Sequence, residues 1–217
     1  VRAGFPGRTQ PDPPQPLPPT PTSRTMLHIL PLPITGPATE PATVAQVKFD
    51  ARLDGTEWDD HIPGYIAAAR QACEQQLGGL RLVAQTLRAE ADSWADLSDP
   101  VPILPASSAV VSWWDGAAWS ALSTTLWVMR AVPGGAQILP TTNATWPTLP
   151  DVAGPRVRVD ITAGLVTDGA DVPATLCQWI RLHAAAMVDQ PVAATEKPMQ
   201  PLPWLDGLLD PYRVWAR

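Results

Sequence analysis

The raw material for chemistry in this chain is three histidines, two cysteines and an acidic doublet beside a histidine. Asp59, Asp60 and His61 have the residue types of a metal site. Consecutive residues do not converge on one helix face, so a solvated helix start is the simpler reading. His28 falls in an extended lead-in. His183 sits at the apolar edge of a helical pattern, where a packed imidazole is expected rather than a general base. Cys73 and Cys177 lie alone inside two helical patterns, without CxxC or Cys/His ligand spacing, and both read as small buried hydrophobes. A bond between them is possible in principle but disfavoured in a reducing compartment. Ser107-Ser108 lacks the G-x-S-x-G elbow of a strained nucleophile. Pro133-Gly134-Gly135 lacks the Lys-Ser/Thr of a phosphate loop, and no G-x-G-x-x-G opens a helix. Asn143-Ala-Thr145 has the form of a glycosylation sequon, which acts only in a secreted chain. The acidic residues are scattered rather than paired. No catalytic, cofactor-binding or metal-binding residue is assigned, no cofactor is expected, and the chain does not read as an enzyme.

The elements that would have to position such groups follow in a clear order. Thr43 to Leu53 predicts a short helix, capped by Thr43, with Val44, Val47 and Ala51 at helical spacing. Asp54-Gly55 breaks it. A second helix starts near Asp59-Asp60, tolerates Pro63 in its first turn, and puts Ile62, Tyr65, Ile66, Ala69, Cys73 and Leu77 on one face. Gly78-Gly79 ends it. From Leu82 the period changes to alternation, and Thr86–Glu90 reads as a half-exposed strand. Val101–Pro105, with two prolines, is extended and belongs at an edge. Ala109–Trp114, Asp115-Gly116 and Ala118–Leu122 form a hairpin signal, because Asp-Gly suits the positive φ angles of a tight turn. Leu126–Arg130 and Ala136–Leu139 flank Pro133-Gly134-Gly135 as a second hairpin. Arg156–Thr162 is the last strand, stopping before Gly164. Pro173 to Val188 is a third helix, with Leu176, Cys177, Ile180, Ala184, Met187 and Val188 on one face. A loop over about 189–200 precedes the closing segment.

The resulting fold class is α+β. Two N-terminal helices, one long C-terminal helix and a short tail helix form a bundle, with an inserted, mainly antiparallel β-sheet of hairpins. Residues 1–26 read as a disordered Pro-rich extension, since eight of the first 25 are Pro and almost none is a core former. Met26 is the expected true start. Residues 27–217 read as a single domain: helices over about 43–79, hairpins over 82–163, and the C-terminal helix and tail over 173–217.

Composition narrows the function. With 217 residues, 45% hydrophobic and 17% charged, the chain can build a real core under a sparsely charged surface. A formal net charge of −6 argues against general nucleic-acid binding, which needs a basic face. No apolar run reaches the ~18 residues of a membrane span, and no membrane partner is expected. Ten of fourteen aromatics are Trp, a residue suited to cores and to interfaces alike. The closing segment gathers Trp204, Leu208, Leu209, Tyr212, Arg213 and Trp215, residue types that anchor interfaces. Leu208 and Leu209 are expected to pack inward while Tyr212, Arg213 and Trp215 reach a partner. A rival reading makes Trp113, Trp114, Trp119 and Trp127 an aromatic platform of a carbohydrate- or peptide-binding module.

Four stretches, in this order, resemble the head–tail connector (adaptor) proteins of tailed phages, prophages and gene transfer agents. They are Val44-Ala-Gln-Val-Lys48 to Leu53, the acidic turn and the helix ending Gln75-Gln-Leu-Gly-Gly-Leu-Arg-Leu-Val-Ala-Gln-Thr86, and the hairpin at Trp113-Trp-Asp-Gly116. Then come Val157-Arg-Val-Asp-Ile-Thr-Ala-Gly164 with its Val172-Pro173 helix, and Leu202-Pro-Trp-Leu-Asp-Gly-Leu-Leu-Asp-Pro-Tyr-Arg213. The likeness spans about residues 27–215. Gly78-Gly79 stands where family members often have Thr-Gly-Arg, and Trp204-Leu-Asp-Gly207 replaces a common Phe-Gly. The resemblance implies a structural subunit of a homo-oligomeric ring, usually a dodecamer, monomeric when free. That ring would dock beneath the portal protein, extend the DNA channel without sequence-specific binding, and carry the stopper or tail-completion protein. It implies a place at the head–tail interface of a virion or phage-like particle, reached from the host cytoplasm during assembly. Acidic side chains of the helical part would then face the channel, where they repel phosphate and let DNA slide.

Overall fold

The computed structural model describes residues 28–29, 33–132, 135–189 and 206–213. The Pro-rich extension, Met26, most of the loop over 189–200, Pro133, Gly134, Trp204 and Trp215 lie outside the described residues.

Three helices form one half. The first, α1 (Val44–Ala51), begins with a reciprocal capping box: Thr43 Oγ1 accepts from the Gln46 amide, and Gln46 Oε1 accepts from the Thr43 amide. Arg52 ends it in the left-handed region, at φ 55°. The second, α2 (Ile62–Gln76), starts after Asp59-Asp60, with Pro63 in its first turn, and Gly78 and Gly79 follow at φ 79° and 87°. Those angles strain any residue with a Cβ, which is why a glycine pair stops the helix here. The third, α3 (Ala174–Asp189), packs against both. Val47, Ile62, Ile66, Ala69, Cys73, Leu77, Leu176, Trp179, Ile180, Ala184 and Val188 are buried together in one core. Among the described residues no helix is long and apolar enough to cross a membrane.

Strands form the other half. β1 (His28–Ile29), β2 (Gln85–Ala91), β3 (Ala106–Trp114), β4 (Trp119–Ala121) and β7 (Val157–Ala163) make a five-stranded antiparallel sheet in the order β1-β2-β7-β3-β4. The last strand is therefore central: Ile161 pairs with Leu87 on one side and Ala109 on the other. β5 (Trp127–Val132) and β6 (Gly135–Pro140) form a separate two-stranded sheet. Val101 bridges to Ala136 along the outer side of β6, and its side chain is buried. Strict alternation puts Leu87, Ala89, Val157, Val159 and Ile161 on the inner face. Trp127 and Ile138 of the small hairpin close over them as a second core.

The two halves meet along a seam where the chain passes close to itself. The Leu165 amide donates to the Arg81 carbonyl at 2.9 Å, and the Val166 amide to Leu82 at 3.1 Å. A Cβ on Gly164 would stand 2.4 Å from the Ala84 nitrogen, so β7 has to end at a glycine for this crossing to form.

Candidate functional site

The groups with catalytic potential are dispersed and occupied. His61 is exposed before the first turn of α2, edge-on to Trp58 with ring centroids 6.1 Å apart. Asp59 is taken by Lys48 at 2.7 Å. His183 lies flat on Trp179, centroid to centroid 3.5 Å, and its Nδ1 is 3.1 Å from the Trp179 carbonyl oxygen. Burial pushes its pKa below the usual imidazole value, against smaller raising effects of that carbonyl and of Asp206. Cys73 is fully buried and its thiol is pushed up to about 12, chiefly by desolvation, so it is protonated at neutral pH. Cys177 departs from the expected full burial. It is half-buried, because its Sγ reaches out to donate to the Val172 carbonyl at 3.3 Å. The cysteines are not bonded to each other. Among the described residues no group of three or more His, Cys, Asp or Glu side chains could hold a metal ion.

The aromatic residues of the hairpins do not form an open platform. Trp127 is buried in the sheet core, and Trp113 packs against the same core. Trp114 and Trp119 face the other way, T-shaped at 5.7 Å. The Arg158 guanidinium lies 3.7 Å over the Trp119 ring while donating to Glu90 at 2.7 Å. The ring face on which a sugar would stack is thus covered by the chain's own cation. Beside it, Arg88 binds Asp160 through two hydrogen bonds, at 2.7 and 2.8 Å. This outer sheet face is a ladder of satisfied cross-strand ion pairs.

The terminal segment is docked on α3 as a tail helix, Gly207–Tyr212. Leu209 is 0% exposed and belongs to the helical core. Leu208 and Tyr212 are half-buried against that core. The Thr175 hydroxyl meets the Tyr212 hydroxyl at 3.3 Å, and Arg213 pairs with Asp210 at 2.8 Å with both side chains partly in solvent. The structure thus brings Leu208, Leu209, Tyr212 and Arg213 together at the N-terminal part of α3.

Two features were not legible as sites in the sequence. Glu74 is fully buried, and its carboxylate accepts from Arg70 at 3.1 Å, Arg81 at 3.0 Å, the Leu82 amide at 3.1 Å and Gln85 at 3.0 Å. It fastens the end of α2 to the start of β2, holding the two halves in one orientation. Arg70 also binds Glu40 at 2.8 Å, extending the network into the lead-in. Phe49, on the outer face of α1, is 81% exposed. Charge spacing gives no sign of the Glu74 network, and a phenylalanine inside a short helix reads as ordinary filling.

Three solved structures share this architecture. One chain of the virion of a native gene transfer agent particle matches with a TM-score of 0.66 at 21% identity, covering 86% of this chain and 96% of that one. A chain in the neck of an empty gene transfer agent particle, computed with C6 symmetry, matches at TM-score 0.65 and 20% identity, over 88% and 97% of the two chains. The neck of a native particle computed with C12 symmetry gives 0.60 at 20% identity, over 88% and 97%. The fold is that of a gene transfer agent particle chain. Both halves and nearly the full length of those chains are included, so the likeness is to a whole subunit. No protein-family model matches, and no curated protein does either.

Proposed function

We propose that the protein is a structural, non-catalytic subunit of the neck of a phage-like particle, a head–tail connector that forms a ring beneath the portal. The observation that carries this reading is the fold match over 96–97% of chains from gene transfer agent particles, two of them in necks. The necks computed with C6 and C12 symmetry support a ring, with twelve copies as the expected number. In this role the chain extends the DNA channel and carries a stopper or tail-completion protein below. Its site of action is the head–tail interface of the particle, after synthesis and assembly in the host cytoplasm.

The ring requires a heterologous contact that closes by rotation. Tyr212 and Arg213, at the surface of the docked tail helix, are assigned to the portal or to a neighbouring subunit, together with Trp204 and Trp215. Leu208 and Leu209 support that surface from beneath. Asp54, Glu57 and Asp60 are exposed on the turn between α1 and α2 and are the carboxylates proposed to line the channel. Mass photometry of the full chain, alone and with the portal protein of the same particle, tests the reading. Binding to the portal as a closed ring supports it; a monomer without portal affinity at assembly concentrations overturns it.

A further inference from the structure

We propose that neighbouring copies exchange their tail helices in the ring. Each Gly207–Tyr212 segment then docks on α3 of the next copy as it docks on its own α3 in the free chain. The inference rests on the ring reading above and names one contact that joins the copies.

Socket and occupant are both present in the structure. Leu209 is the fully buried side chain of the tail helix. Two hydrogen bonds attach the segment, one from the Trp179 indole to Asp206 and one between the Thr175 and Tyr212 hydroxyls, each 3.3 Å long. Both are made to α3, the element on which the tail packs. Every copy therefore offers the same socket, and a neighbour's tail makes the same contacts without any new surface. One buried leucine and two long hydrogen bonds also let the tail detach while the core around Val47, Ile66 and Ile180 stays packed.

Chain length permits the exchange. α3 ends at Asp189 and the docked segment begins at Asp206, so residues 190–205, sixteen in all, connect them. Docking on the same copy needs little of that length. Asp206 binds Trp179, which lies ten residues before the end of α3, about 15 Å at the helical rise. Seventeen residue steps span up to roughly 56 Å. Connections between packed helices usually take about 2–8 residues. A domain of this size is about 40 Å across, so the connector is long enough for the equivalent helix of an adjacent copy. Symmetry gives the surplus a use. Tail and socket are different surfaces, so passing the tail always in the same sense is a head-to-tail contact. An open row leaves one tail and one socket unmatched, and a ring leaves none.

The test places photoreactive benzoylphenylalanine at position 212 of the full chain, beside Thr175, and assembles equal amounts of isotopically heavy and light copies on the portal protein. In rings, irradiation is expected to join residue 212 to the α3 peptide of another copy, with heavy–light pairs as frequent as like pairs. In the free chain every pair should be of one isotope. Like pairs alone in formed rings, crosslinks only to the portal, or no crosslink to α3 overturn the exchange and leave the ring reading intact. Failure of the unmodified chain to form rings overturns both. A second variant leaves the tail helix untouched and carries the test if the position-212 variant does not assemble. Removing 191–200 leaves six connecting residues with a reach of about 23 Å, enough for a copy's own α3 and too short for its neighbour's. That chain should melt like the unshortened one yet lose ring formation; rings at unchanged protein concentration would overturn the proposal.

Discussion

Trp179, fully buried in α3, donates its indole N–H to Asp206 Oδ1 at 3.3 Å and so ties the entrance of the tail helix to the helical core. One turn earlier Thr175 meets Tyr212, and Leu209 fills the space between the two attachments. The tail is therefore two things at once: part of its own domain's core and the support of an outward surface.

These roles separate by mutation. Leu209→Ala should lower stability by about 2–5 kcal/mol, the usual range for a buried leucine. Arg213→Ala removes an exposed i,i+3 pair and should change stability by less than about 1 kcal/mol. It should nevertheless weaken attachment to the ring's partner. Denaturant unfolding and portal pull-down of both variants check this. Loss of folding in Arg213→Ala would reduce the tail to a lid.

The Glu74 network makes a sharper demand. Glu74→Ala leaves Arg70 and Gln85, both buried, short of an acceptor. Breaking a buried pair from one side costs about 3–5 kcal/mol. For a chain of this size that is a fall in melting temperature on the order of 10 °C. Calorimetry reads it directly, and a drop within a degree or two would mean that this carboxylate does not hold the seam.

His183 sets an acid limit. Its folded pKa is depressed by burial, so below the ordinary imidazole value the unfolded chain takes up the proton first. Stability should then decline as pH falls from about 6.5, until the folded form protonates as well. Asp115 and Asp168 are also held below the usual carboxylate value, chiefly by backbone N–H donors, but they act in a separate window near pH 4 and lower. In His183→Gln the decline beginning near pH 6.5 should flatten while the lower one persists. Chemical denaturation from about pH 2.5 to 7.5 measures both slopes; an unchanged decline near pH 6.5 in the variant would remove His183 from the account.

The helices and strands were readable because their patterns are local. Val47 with Ala51, the Ile62-to-Leu77 face and the alternation through Thr86–Glu90 all report burial at one period. Gly78-Gly79 and Asp115-Gly116 mark turns by backbone demand alone. The order of strands was not readable, since nothing in Arg156–Thr162 says that it lies between β2 and β3 rather than at an edge. That follows from the crossing at Gly164, a contact with Ala84 far earlier in the chain. The same holds for Trp119, whose covering by Arg158 depends on register between two distant strands. Phe49 escaped notice because its helix is amphipathic on the Val47 side, and sequence periodicity is silent about what covers the other.

The central claim is most directly tested by cryo-electron microscopy of the full chain assembled with the portal protein of its particle. The account predicts a closed ring of this chain, twelvefold, seated beneath the portal, with the Gly207–Tyr212 helix at a contact and the Asp54–Asp60 turn facing the channel. Portal particles bare of the chain, or chain bound as scattered single copies with no ring, would contradict it.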